Sequence, residues 1–129
     1  MCNWRAVAIV LAALGLAFAG PLRAQDVKQT ILQKSDVPGT NYETVLGIAE
    51  IAPNANVAHH THPGTESSYV LAGSLTLEVE GQPARMVEAG QSMFVPGNTP
   101  HGGRAGANGE KILATLVAEK GKPLATPVK

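Results

Sequence analysis

Hydrophobic and polar residues alternate along many short stretches of this chain, and a period of two is typical of β-strands. In the strand predicted at residues 74–80 the side chains of Leu75, Leu77 and Val79 would face a core, and Thr76, Glu78 and Glu80 would face water. Comparable runs occupy residues 28–34, 43–52, 67–72, 84–88, 92–95 and 111–119, separated by Gly, Pro and Asn clusters. Helical periodicity is nearly absent. The pattern predicts an all-β domain, a sandwich or a barrel that buries one face of each strand.

Two segments lack the strand pattern. Residues 102–109 are rich in glycine and are interpreted as low-complexity sequence outside the predicted strands. Residues 120–127 contain two prolines, and we expect this tail to run extended over the surface.

The first 24 residues have the anatomy of a secretory signal peptide. A short start contains Arg5, an apolar run covers residues 6–20, and small residues surround Ala24. The apolar run is shorter than the roughly 20 residues that span a bilayer, which disfavours the alternative of an uncleaved membrane anchor. We expect cleavage after Ala24, with Ala19 as the competing site, and a single domain of residues 25–129 that is periplasmic or secreted.

Composition excludes several classes of function. The only cysteine, Cys2, lies in the leader, so the mature chain has neither a disulfide nor a thiolate metal site. Loss of Arg5 and Arg23 leaves eight basic residues against ten acidic ones. No basic patch for nucleic acid or for an anionic membrane is therefore expected.

Three histidines and one glutamate form the candidate site. His60 and His62 are two residues apart, so on a strand both imidazoles point to one face. Glu66 follows a Pro-Gly turn that can bring its carboxylate back toward the two rings, and His101 would join them if the fold brings it there. Imidazole nitrogens and one carboxylate oxygen suit a borderline divalent ion.

These residues lie in two motifs that resemble those of small single-domain cupins, the RmlC-like jelly rolls. The first motif is matched by His60, His62, Glu66 and Gly73, and the second by Gly90, Pro96 and His101. Asn54 and Asn98 stand where the family usually has glycine, and Asn tolerates the same left-handed turns. Gly73, Gly90 and Pro96 are interpreted as turn and bulge residues without a chemical role.

The resemblance implies a double-stranded β-helix, or jelly-roll, barrel with one divalent ion of manganese, iron, nickel, copper, cobalt or zinc. It implies a small-molecule ligand or substrate and, commonly, a homodimer. Within the family's range, a three-histidine, one-glutamate site resembles that of metal-dependent dioxygenases, so this oxidoreductase reaction is the specific expectation. The alternatives are a non-catalytic module that binds a sugar or organic acid through the metal, and an ion that only stiffens the barrel.

Other side chains are candidates for roles around the metal. His59 should point away from His60, either into solvent or as a donor to a ligand. Arg104 is a candidate clamp for a substrate carboxylate, and a solvent-exposed arginine is the alternative. No general base is evident beyond metal-bound water. By pattern, the larger apolar residues are expected in the core or at the barrel mouth, among them Tyr69, Leu71, Met86 and Phe94.

Overall fold

Eight β-strands and no helix make up residues 26–129, the part of the chain that the computed structural model describes. The strands are β1 (Val27–Asp36), β2 (Tyr42–Ile51), β3 (Asn56–Thr61), β4 (Gly64–Val79), β5 (Arg85–Glu88), β6 (Ser92–Val95), β7 (His101–Glu119) and β8 (Thr126–Pro127). Within these residues there is accordingly no helix that could cross a membrane. The expected signal peptide and its cleavage site lie outside the described residues.

All neighbouring strands pair in the antiparallel sense. One path runs β1-β2-β7-β3-β8, while β4 pairs with β5, β6 and β7. The two long strands, β4 and β7, therefore bridge the sheet: the first half of β4 pairs with the second half of β7, and the reverse holds for their other halves. This wrapping closes the sheet around one interior, as the all-β prediction requires, while β1 and β8 stay largely exposed.

The bend in β4 occurs at Gly73. Its φ is 76°, and the pairing register shifts on both sides of it. A Cβ at Gly73 would lie 2.0 Å from the backbone oxygen of Gly109, so only glycine lets β4 and β7 approach here. The two strands predicted at 67–72 and 74–80 are consequently one bent strand. The interpretation of Gly73 as a bulge residue is confirmed.

The strand predicted at residues 111–119 begins ten residues earlier, at His101, so the Gly-rich residues 102–109 form the first part of β7. Glycine allows neighbouring strands to approach β7 closely here. A Cβ at Gly103 would lie 2.1 Å from the backbone oxygen of Thr76, and a Cβ at Gly102 would lie 2.6 Å from the backbone oxygen of Val57. The tail, residues 120–127, also takes part in the sheet. Within it, β8 pairs with β3 through Thr126 and Pro127.

The core follows the predicted alternation. Leu75, Leu77 and Val79 are buried, as expected. The first half of β4 and the neighbouring strands add further buried residues, among them Ile51, Val70, Val87, Met93, Val95 and Ile112. Four of the larger residues expected in the core or at its mouth point outward instead and are exposed, namely Tyr69, Leu71, Met86 and Phe94. Side chains alternate between the two faces of a strand, so the residues next to them, such as Val70 and Met93, point into the core.

Candidate metal centre

Three histidine rings converge inside the barrel. His60 lies near the end of β3 and is paired in the ladder with His101, the first residue of β7. His62 follows β3 directly. The ring centroids are 4.3 to 4.9 Å apart, and one ring nitrogen from each residue lies within 4.8 Å of the others. The period of two and the antiparallel register thus bring together the three imidazoles that the sequence singled out.

Each ring is oriented by a backbone carbonyl on its outer side. The Nδ1 atom of His60 lies 2.9 Å from the Ala58 oxygen, and that of His101 lies 2.9 Å from the Thr99 oxygen. The Nδ1 of His62 lies 2.5 Å from the oxygen of Leu124, in the tail.

A carbonyl oxygen can only accept a hydrogen bond, so each Nδ1 carries the proton. The Nε2 atoms face the interior, and once deprotonated they offer the lone pairs by which histidines bind metal ions. The buried Nε2 of His101 has no hydrogen-bond partner among the described residues. An inward, unpartnered nitrogen of this kind fits a site that accepts a cation.

Glu66 supplies a carboxylate beside these nitrogens. Its Oε2 lies 2.9 Å from Nε2 of His62 and 3.5 Å from Nε2 of His101, and its Oε1 accepts a hydrogen bond of 2.5 Å from the Ser68 hydroxyl. Burial alone would raise the pKa of Glu66, but its contacts with the ring nitrogens of His101 and His62 and the hydrogen bond from Ser68 outweigh it and hold the pKa well below its usual range. Glu66 is therefore an anion throughout the physiological range.

The pKa values of His60 and His62 shift in opposite directions. Burial is the largest influence on both His60 and His62 and lowers the pKa of each. In His62 the hydrogen bonds to Glu66 and to the Leu124 carbonyl overcome burial and raise the pKa. In His60 the neighbouring rings of His101 and His62 add to burial, and the pKa stays lowered. A divalent ion would replace the proton that His62 shares with Glu66.

The four side chains line a cavity of about 90 Å³ inside the barrel. Its walls are mostly apolar, with Ile51, Val57, Leu75, Leu77, Met93, Val95 and Ile112 among them. Two polar side chains besides the site residues also line it, Gln29 from β1 and Glu110 from β7. The volume is well below the roughly 300–1,000 Å³ of sites for drug-sized ligands, so it suits a small molecule.

The model of the cupin domain family matches residues 47–118, more than half of the chain. The chain belongs to the cupin family. A dimethylsulfoniopropionate lyase, DddW of Ruegeria pomeroyi, is 36% identical over 67 residues, which are 52% of this chain and 43% of that protein. The chain thus aligns with less than half of this relative's length.

Solved structures agree on the fold. An RmlC-like cupin from Shewanella frigidimarina superimposes with a TM-score of 0.60 at 25% identity, over 74% of this chain and 79% of that one. The polyketide cyclase RemF from Streptomyces resistomycificus superimposes with a TM-score of 0.62 at 27% identity, over 81% and 72% of the two chains. The predicted jelly-roll barrel is confirmed.

Two side chains considered in the sequence lie outside the cavity of this cupin. His59 points to the opposite face from His60, is half exposed, and its Nε2 lies 3.0 Å from Oε2 of Glu78. Arg104 is exposed on β7 and is not among the residues that line the cavity. Its role as a substrate clamp stays a prediction without a contact to support it.

One residue of the cavity was missed by the sequence interpretation. Glu110 is 4% exposed, and neither carboxylate oxygen has a hydrogen-bond partner among the described residues. The signal was present, since Glu110 has the same parity as the inward-facing Ile112 and Ala114. It was overlooked because the strand was predicted to begin one residue later.

Proposed function

We propose that this cupin is a metal-dependent enzyme that acts on a small, acyclic, oxygen-containing molecule. A divalent ion would be held by His60, His62, Glu66 and His101. The observation that carries the proposal is the set of inward Nε2 atoms at a mostly apolar cavity, each ring fixed from outside by a carbonyl. When bound, such an ion polarises a substrate oxygen and stabilises negative charge that develops on it.

The chain's own residues supply orientation and exclusion of water. The carbonyls of Ala58, Thr99 and Leu124 fix the three rings, so little reorganisation is needed when the site is loaded. The apolar walls keep bulk water from the reacting groups and strengthen the electrostatic interactions among them.

Two reaction classes fit this site. The donor set of three imidazoles and one carboxylate supports the dioxygenase reaction expected from the sequence, because it suits redox-active ions and leaves positions for substrate and dioxygen. The similarity to a lyase supports an elimination reaction on a small carboxylate. The cavity of about 90 Å³ disfavours flavonols and other large flat substrates for either reaction.

Export and pairing of the barrel are also proposed. Export rests on the leader sequence and predicts that protein recovered from the periplasm begins at Gln25. A homodimer is supported by β1, which within residues 26–129 pairs only with β2 and exposes Ile31 and Leu32. Sedimentation of the mature protein tests the pairing.

The experiment compares the mature protein with two histidine variants. Metal analysis after purification from the native compartment should find about one divalent ion per chain. His62→Ala should abolish this occupancy, whereas His59→Ala should preserve it, since His59 is half exposed and contacts Glu78 on the outer face.

Activity is then screened with an oxygen electrode and by product formation, using small diketones and small carboxylates with a leaving group. Turnover that requires the ion supports the enzyme. A tight ligand without turnover would favour the binding module, and equal loss of metal from both variants would contradict the site.

A further inference from the structure

The carboxyl group of Glu110 is the feature of the cavity that the candidate metal centre does not use. It lies on the inner face of β7, is 4% exposed, and has no hydrogen-bond partner for either oxygen among the described residues. It lines the same cavity as His60, His62 and His101. A small molecule bound there would therefore meet both the histidine cluster and this carboxyl group.

The position of Glu110 is fixed by the sheet. Its backbone pairs with Ile51 of β2 on one side and with Gly73 of β4 on the other. Gly73 and Gly109, both with positive φ, allow the close approach of strands at this point. With ladders on both sides, the strand cannot rotate to bring the side chain to water, so the carboxyl group stays in the cavity.

Packing gives no reason for a carboxyl group at this position. A buried polar group without a partner costs folding free energy, and an apolar residue such as those at 112 and 114 would fill the same face without that cost. Unpartnered buried groups of this kind are concentrated at functional sites. The cost at Glu110 is therefore explained if the carboxyl group meets a ligand.

Its acid–base chemistry suits proton transfer near neutral pH. In the metal-free protein, burial together with the negative charge of Glu66 raises the pKa of Glu110 to about 7. The other titratable side chains among the described residues that line the cavity are His60, His62, Glu66 and His101, the proposed ligands of the ion. Glu110 is thus the remaining group in this lining that can accept or donate a proton.

We propose that Glu110 is the proton acceptor for a substrate bound in this cavity, and that it takes a proton from the carbon next to the substrate's carbonyl or carboxylate group. The inference rests on the proposed function and specifies its chemistry. The C–H bond breaks and the proton passes to the Glu110 carboxylate. The electron pair is delocalised into the adjacent C=O group, or forms a C=C bond as a β-substituent departs with its own bonding pair. The carboxylic acid then returns a proton to the carbon or to the departing group.

Exchange of the methyl protons of pyruvate in D₂O tests this step without requiring the natural substrate. Pyruvate is small and has a keto oxygen and a carboxylate for an ion, and the exchange is followed by proton NMR with zinc-loaded full-length mature protein. Glu110→Gln keeps the size of the side chain but cannot accept the proton, whereas Glu110→Asp keeps a carboxylate. Zinc content and pyruvate affinity are measured for each protein by metal analysis and calorimetry.

We expect the wild type to exchange the protons well above the buffer rate. Glu110→Gln should lose at least about 100-fold of the rate, with zinc content and pyruvate affinity unchanged, and Glu110→Asp should retain part of it. Exchange by Glu110→Gln within a few-fold of the wild type overturns the proposal, as does a zinc-loaded wild type that does not bind or exchange pyruvate. If the wild type holds no ion at all, the proposed function itself fails.

Discussion

Replacing Glu110 by Gln in the metal-free protein should change how stability depends on pH. The pKa of Glu110 is about 7 in the folded state, against 4.5 for an ordinary glutamate. Because the folded state holds this proton more tightly than the unfolded state, its stabilising effect is complete below pH 4.5 and is lost as the pH rises through 7. At about 1.4 kcal/mol for each pH unit, the loss reaches about 3 kcal/mol by pH 8.

Glutamine has the same shape and does not titrate, so Glu110→Gln should lack this loss. The free energy of unfolding of the variant, relative to the wild type, should therefore rise by about 3 kcal/mol between pH 4 and pH 8. Urea unfolding followed by circular dichroism, in the presence of a chelator, measures the difference at each pH. The comparison cancels the titration of groups common to both proteins.

Glu80→Gln is the matched control, because Glu80 is an exposed carboxylate at the end of β4. Between pH 4 and pH 8, the free energy of unfolding of Glu80→Gln should differ from that of the wild type by a nearly constant amount. A constant difference for Glu110→Gln as well would refute the reasoning, since it would mean that water or a partner solvates the carboxylate of Glu110 in the folded protein.

Three further changes test other parts of the structure. Deletion of residues 123–129 removes the carbonyl that orients His62, so zinc affinity measured against a chromophoric chelator should fall by about 10-fold or more while the barrel's circular dichroism persists. Gly73→Ala, whose Cβ would lie 2.0 Å from a backbone oxygen, should lower the melting temperature more than Gly81→Ala, which has a similar φ and open space. Ser68→Ala removes a donor to the buried carboxylate and should cost about 1–3 kcal/mol in urea unfolding.

The sequence was sufficient to predict the histidine cluster because its information is local. A spacing of two fixes the face of His60 and His62 once the segment is a strand, and the cupin motif spacing anticipates that His101 returns to the same place. Alternation in residues 75–80 fixed the core face in the same way. These features need no knowledge of which strands are neighbours.

Features that depend on strand neighbours could not be predicted in this way. Residues 102–109 are rich in glycine and lack a strand pattern, yet the approach of Val57 and Thr76 from neighbouring strands makes glycine necessary within β7. The partner of His62 lies 62 residues away in the tail, and no local pattern indicates it. The isolation of Glu110 is likewise a property of the packed interior, since burial and missing partners exist only after the barrel closes.

The same long-range contacts connect the candidate site to the stability of the fold. The carbonyls that hold the rings come from β3, from the connection before β7 and from the tail, so the three Nε2 atoms converge only when all three segments are in place. An ion that binds this arrangement and not the unfolded chain stabilises the folded state by about 4 kcal/mol at a free concentration 1,000 times its dissociation constant. Such a gain exceeds the cost of about 3 kcal/mol from an ionised Glu110. The barrel can therefore carry a carboxyl group poised for proton transfer in its interior, because the ion that would make this group useful also offsets its cost.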